Sequence, residues 1–178
     1  MADAEPQAAD APDASIDADA QPQLISGGDA FADALGSIAA GSRLELCIQS
    51  YDLDRRIYGR PTLVEGIRQF LLQHERATLR VLVHSPKRTA QTGGHRLVEL
   101  ARSLSSRAQI RALPESKKEL RQDMIVGDSR MLLLRQRPDD LDAQFHGGDP
   151  RVARRKAGEF AELWEQAEPA QELRALGI

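Results

Sequence analysis

Cysteine is almost absent from this chain of 178 residues: Cys47 stands alone, so no internal disulfide can form. Cys47 falls inside an apolar alternation, which predicts a buried, inert thiol rather than a nucleophile. No Cys/His cluster has zinc-binding spacing. Aromatic residues make up only 4% of the chain, too few for a base-stacking platform, and no nucleic-acid motif is present. Nucleic acid is therefore not an expected partner. No apolar run approaches about 18 residues, so no membrane-spanning helix is expected. The first residues carry neither a basic segment nor an apolar one, so they do not read as a secretory signal, and a cytoplasmic location is expected. No Walker or dinucleotide pattern occurs, and no Gly-rich turn of the kind that holds acetyl-CoA, so no cofactor is expected.

Basic residues are missing from one whole region. Residues 1–42 hold eight acids and no Lys or Arg, although the chain as a whole has 27 acids and 24 bases. The body from Arg43 onward is therefore net positive. A basic body beside an acidic arm suits a weakly bound anion, or an arm that shields the body. Residues 1–25 form an Ala/Asp/Pro/Gln tract whose large aliphatics are only Ile16, Leu24 and Ile25. Burial there cannot offset the entropy of ordering, so 1–25 is expected to be a disordered tail, with 26–178 as a single domain.

Within the body, strand-period and helix-period segments alternate. Residues 29–40 space Phe31, Ala34, Leu35 and Ile38 as a helix face, with Asp29 placed to cap it. Leu44, Leu46 and Ile48 alternate as in a strand. The next segment, Tyr51-Asp52-Leu53-Asp54-Arg55-Arg56, is dense in polar groups at a strand end. It reads either as a solvated loop with internal Asp–Arg pairs or as a ligand site. Residues 62–74 form a helix with Leu63, Ile67, Phe70 and Leu71 on one face, and Thr62 with Glu65 fits a capping box. A strand at 78–84 ends on His84.

A polar loop over 85–94 leads through Gly93-Gly94 into a helix that begins at His95 and Arg96. Those two residues, with the glycines, are candidates for holding an anion at the helix start; a plain turn is the other reading. Residues 110–113 give a strand stopped by Pro114. Arg121 to Arg135 reads as two apolar runs around Gly127-Asp128-Ser129, the pattern of a hairpin. Ala143 to His146 is an edge segment. Asp149-Pro150 opens a last helix whose buried face carries Ala153, Ala157, Phe160, Trp164 and Ala167. Its other face holds Arg151, Arg154, Arg155 and Lys156, a phosphate-facing candidate or a solvated face. The alternation predicts an α/β fold with a mixed β-sheet and flanking helices.

The element order, the hairpin and the Phe160-x-x-x-Trp164 spacing resemble one half of a phospholipase D-like fold, over about residues 29–168. The signature of that family is a His, a Lys two residues on and an Asp five residues after the Lys. Asp128 matches the Asp, whereas Arg121 and Asp123 stand at the His and Lys positions. Arg135-Gln136 stands where the family's Gly-Ser follows. More closely, 95–106 and 163–176 resemble an uncharacterised bacterial domain found alone or after GNAT acetyltransferase domains. The resemblance implies that the phosphate-binding Lys and the His nucleophile are replaced, since Arg121 stays protonated and Asp123 has the wrong charge.

Two functional classes follow. One is a non-catalytic binding or regulatory module whose ligand is a protein partner, a second copy of the chain or a weakly held anion. The other is a hydrolase or transferase acting on a phosphate-containing substrate through a non-standard site drawn from Asp52, Asp54, His84, His95 and Asp123.

Overall fold

The computed structural model describes residues 21–91, 95–117, 119–140 and 142–174. Its centre is an eight-stranded mixed sheet. Three strands, β2 (Glu45–Ser50), β3 (Thr78–Val83) and β4 (Ala108–Ala112), are parallel neighbours. Parallel strands need a crossover. Helices α3 (Pro61–Gln73) and α5 (Arg96–Ser103) lie in those two connections. On the other side of β2 the sheet turns antiparallel. The hairpin β5 (Asp123–Gly127) and β6 (Met131–Arg135) comes first, then β7 (Asp142–His146).

The strands are covered on both faces. Leu46, Ile48, Val81, Ile125 and Leu133 pack against the apolar stripes of α1 (Gly28–Gly41), α3 and α5. Cys47, Leu82, Met124, Val126 and Leu132 face the other way. They meet Ala153, Phe160, Leu163 and Trp164 of α6 (Pro150–Gln166). Phe160 and Trp164 stack with ring centroids 5.9 Å apart, and the Arg111 guanidinium lies 4.4 Å from the Trp164 centroid. The result is a layered α/β/α domain. Cys47 is buried as expected, and burial pushes its thiol pKa far up. No helix among the described residues is long and apolar enough to cross a membrane.

Several local expectations are corrected. The tract expected to lack structure ran to residue 25, yet Gln23–Ser26 form β1, paired antiparallel with β7; residues 1–20 lie outside the described residues. The segment around Ala143–His146 is therefore an inner strand. Asp29 caps nothing, because α1 opens on Gly27, and Asp29 pairs with Arg60 instead. The Thr62/Glu65 capping box does not form: α3 starts at Pro61 with no side-chain cap. Its apolar face of Leu63, Ile67, Phe70 and Leu71 is buried as the spacing predicts. The loop over 85–94 contains a short helix, α4 (Pro86–Gln91), while Gly93 and Gly94 lie outside the described residues. Beyond α6, a two-residue strand β8 (Glu168–Pro169) pairs with β4, and α7 (Gln171–Arg174) follows. Asp149 caps α6 as the sequence predicts, accepting from the Arg151 amide at 2.9 Å.

The hairpin turn is built from constraints at two positions. Asp128 and Ser129 both take positive φ, 49° and 55°, and the Arg130 amide closes the turn onto the Gly127 carbonyl at 2.9 Å. Gly127 sits against α1, where a Cβ would overlap the Ser42 hydroxyl and an Ile38 methyl. The Asp128 carboxylate accepts from the Arg43, Leu44 and Glu45 amides at 2.7, 2.9 and 2.9 Å. It thus ties the hairpin to the start of β2. Asp128→Ala is expected to lower stability by about 2 to 3 kcal/mol, the scale of hydrogen bonds to a charged acceptor. Asp128→Asn tolerates positive φ and is expected to lose roughly half as much. Urea midpoints equal to the parent's for both variants would contradict this role.

Candidate functional site

The carboxyl ends of β2 and β3 meet the start of β5 and the end of β6, and polar side chains collect there. Asp123 and Arg135 are register partners across the hairpin. Both are buried, with 1% and 7% of their surface exposed. Arg135 donates to Asp123 Oδ2 through Nε at 2.8 Å and also through Nη2. The Tyr51 amide reaches Asp123 Oδ1 at 3.3 Å. The Arg135 guanidinium also lies 4.6 Å from the centroid of the Phe31 ring. Its Nη1 makes no hydrogen bond to any described residue.

The loop after β2 is held in an uncommon conformation. Leu53 has φ of 53°. Its amide donates to the Ser50 hydroxyl at 3.2 Å, and His95 Nε2 donates to its carbonyl at 2.6 Å. This sends Asp52 and Asp54 to the surface with separate partners. Asp52 pairs with Arg88 Nε at 2.7 Å. Burial raises its pKa, partly offset by Arg88 and reinforced by the nearby charges of Asp54 and Asp123. Asp54 caps α2 (Arg55–Tyr58) through the Arg56 amide at 2.9 Å and pairs with the Arg56 guanidinium. Burial pulls the Asp54 pKa upward, but its hydrogen bonds from Arg56 outweigh that and leave it lowered. Beneath the loop, the fully buried Tyr58 hydroxyl is pushed well up by desolvation, with the Asp123 charge adding to it.

Between these groups opens a cleft of about 160 Å³ lined by Tyr51, Asp52, Asp54, Arg56, Arg88, Arg121, Arg135 and Asp139. The Tyr51 ring has two cationic neighbours, Arg121 at 5.3 Å and Arg88 at 5.8 Å. Arg56, Arg88 and Arg135 each have an aspartate partner. Arg121 has none among the described residues. His84 lies behind, 3% exposed, with its ring 6.1 Å from that of Tyr51 and its Nε2 3.4 Å from Gln49 Nε2.

The structure thus gathers Asp52, Asp54 and Arg121 at one cleft, whereas Asp123 is buried against Arg135 and does not line it, and the His84 ring lies 6.1 Å from that of Tyr51. Arg55 borders a neighbouring hollow with Asp52, Asp54 and Arg88. His95 is 2% exposed and committed to the Leu53 carbonyl, so it positions the loop instead of facing a ligand. Arg96 is exposed on α5 and does not line the cleft. Asp128 is at the far end of the hairpin, five residues along the strand from Asp123, about 17 Å at 3.4 Å per residue. On α6, Arg155 and Lys156 pair with Glu159. No group of three or more metal-ligating side chains occurs among the described residues.

Arg88 and Arg135 also line the cleft, and the sequence alone does not single them out. Arg88 sits on the unforeseen α4. Arg135 was legible in principle: counting outward from the Gly127–Arg130 turn pairs it with Asp123, opposite in charge.

The arrangement is that of a phospholipase D-like fold. Nuc, a phospholipase D family member from Salmonella typhimurium, superposes with a TM-score of 0.57 at 13% identity, over 84% of this chain and 98% of that one. NucT from Helicobacter pylori gives 0.57 at 9% identity, over 84% and 98%. TrmBL2, an archaeal chromatin protein with a novel mode of DNA binding, gives 0.57 at 16% identity over 84% of this chain. The match spans only 54% of the TrmBL2 chain. At such identities the likeness establishes the fold alone. Over residues 28–176 the chain matches the family described as Domain of unknown function (DUF7931), and it belongs to that family. No curated protein matches its sequence.

His95 gives the site a pH signature. With Nε2–H used on Leu53, its Nδ1 has no hydrogen-bond partner among the described residues. Burial lowers its pKa, opposed by the bond to Leu53. The unfolded chain takes up this proton near pH 6.5, the folded chain only at lower pH. Below about pH 6.5 the unfolded state therefore binds more protons, and stability falls as pH drops. In denaturant melts from pH 7 to pH 5, the parent is expected to lose more stability than His95→Gln, which keeps a donor for Leu53. Equal losses would contradict the assignment.

Proposed function

We propose that the chain is a non-catalytic phospholipase D-like binding module, and that the Tyr51–Arg121 cleft receives an anionic group. The observation that carries this reading is the state of the two replaced positions. Arg121, at the nucleophile position, is a cation on the cleft with no carboxylate partner among the described residues. A guanidinium stays protonated and cannot attack phosphorus, but it is well suited to bind a phosphate or carboxylate through paired N–H groups. Asp123, at the Lys position, is turned from the ligand by its pairing with Arg135. Arg135 also lines the cleft, and its Nη1, which makes no hydrogen bond to any described residue, would supply a second donor.

The cleft also holds Asp52, Asp54 and Asp139, so affinity is modest. Inorganic phosphate, titrated at low salt and followed by NMR, is expected to bind with Kd on the order of 1 mM, about 4 kcal/mol. Arg121→Ala is expected to weaken this roughly tenfold, the loss of about one charge-assisted hydrogen bond. A bis-aryl phosphate is expected to show no hydrolysis above the buffer rate. Turnover that survives purification and disappears in His84→Ala, whose ring lies 6.1 Å from that of Tyr51, would overturn the reading in favour of a phosphate-acting hydrolase or transferase.

Nucleic acid, which the scarcity of aromatics argues against, re-enters as a ligand class through the fold likeness to TrmBL2. The same titration with a labelled DNA duplex separates it from phosphate alone. Tight, strongly salt-dependent binding would assign the cleft's anion to a nucleic-acid backbone.

A further inference from the structure

The end of the sheet opposite the cleft carries a second concentration of arginine, with different bookkeeping of charge. A hollow of about 550 Å³ there is lined by Arg43, Asp128, Arg130, Met131, Gly147 and Pro150, among others. Pro150 begins α6, so Arg154, four residues on, shares its side of the helix. Arg151 is exposed in the same first turn. None of Arg43, Arg130, Arg151 and Arg154 has a carboxylate partner among the described residues, in contrast to Arg155 and Lys156. The acids nearby are already committed. Asp128 is held by three backbone amides, and Asp149 caps the helix. The four arginines outnumber these two acids, and the amino end of α6 adds positive potential.

Strand β1 sends the chain's acidic segment to this end. Gln23 is the register partner of Phe145, and Leu133 pairs with Phe145 on the other side. His146, Gly147 and Gly148 follow directly, so the chain before Gln23 starts out beside the hollow. Residues 1–20 contain Asp3, Glu5, Asp10, Asp13, Asp17 and Asp19 and no basic residue. Residues 1–20 are joined covalently to β1 through Gln23, and that tether keeps their six acids at high effective concentration around the arginines. We propose that this arginine end is the docking surface for the chain's own residues 1–20, bound in cis through long-range charge attraction. The occupied surface is thereby shielded from other polyanions. Such an interaction is screened once the Debye length falls well below 10 Å.

The test uses the full chain with a nitroxide on Ala8→Cys and ¹³C-methyl methionine. Cys47 is buried, which directs the label to position 8. Met131 lines the hollow, whereas the buried Met124 lies further along the hairpin toward the cleft. At about 20 mM salt the Met131 methyl signal is expected to lose more than half its intensity while Met124 keeps most of its own. The loss should vanish at high salt and in Arg130→Glu/Arg154→Glu, two exposed changes whose folding is checked by an unchanged thermal midpoint. Equal broadening of the two methyls, no broadening, or broadening that survives the double charge reversal would overturn the proposal. So would broadening in a mixture of spin-labelled and separately isotope-labelled chains, which would make the occupant a second copy.

Discussion

The buried pair of Asp123 and Arg135 is the constraint on which the rest of this site depends. Two charges taken out of water are each costly, and they are tolerated only when matched closely and given further hydrogen bonds. Here the match is supplied by the hairpin register itself, which sets the two residues opposite one another. A slip by one residue would turn every side chain of a strand to the other face and leave both charges buried and unpaired. The pair therefore fixes the register, and its remaining atoms position the neighbours. Asp123 Oδ1 holds the Tyr51 amide, and Arg135 spans from Phe31 to the cleft.

The same pair explains how the phospholipase D-like fold is kept while the cleft has a different character. The position that resembles the family's phosphate-holding lysine carries a negative charge, and that charge is consumed internally. The cation at the surface is Arg121, two residues before β5, with its guanidinium 5.3 Å from the Tyr51 ring centroid. The third position of the signature, Asp128, has no part in the cleft. It works at the opposite end, gathering three amides at the start of β2. One sequence motif thus divides into a cleft portion and a structural clamp, and the sheet separates the two.

The layered architecture was legible because its signals are local and periodic. The stripe of Leu63, Ile67, Phe70 and Leu71, the Asp149-Pro150 helix start and the Gly127-Asp128-Ser129 turn each follow from short-range sterics or burial. What stayed illegible depended on partners distant in sequence. Asp29 looks like a cap until Arg60 is seen beside it, and His95 looks like an anion ligand until Leu53 presents its carbonyl. Gln23–Ser26 has too little apolar content to predict order, yet β7 supplies a strand edge for its backbone. Helix α4 has only six residues, too short for periodicity to register, so Arg88 and its pairing with Asp52 were hidden.

The most direct measurement of the central claim is a double-mutant cycle on Asp123 and Arg135, read as unfolding free energy in urea. Asp123→Ala and Arg135→Met each strand one buried charge, and each is expected to cost about 3 to 5 kcal/mol. The double variant, with neither charge left, is expected to be less destabilised than either single change, giving a coupling above about 3 kcal/mol. Additive losses, with the double variant the least stable of the set, would contradict the account, because the two residues would then contribute independently and the pair would not be what fixes the hairpin and its cleft.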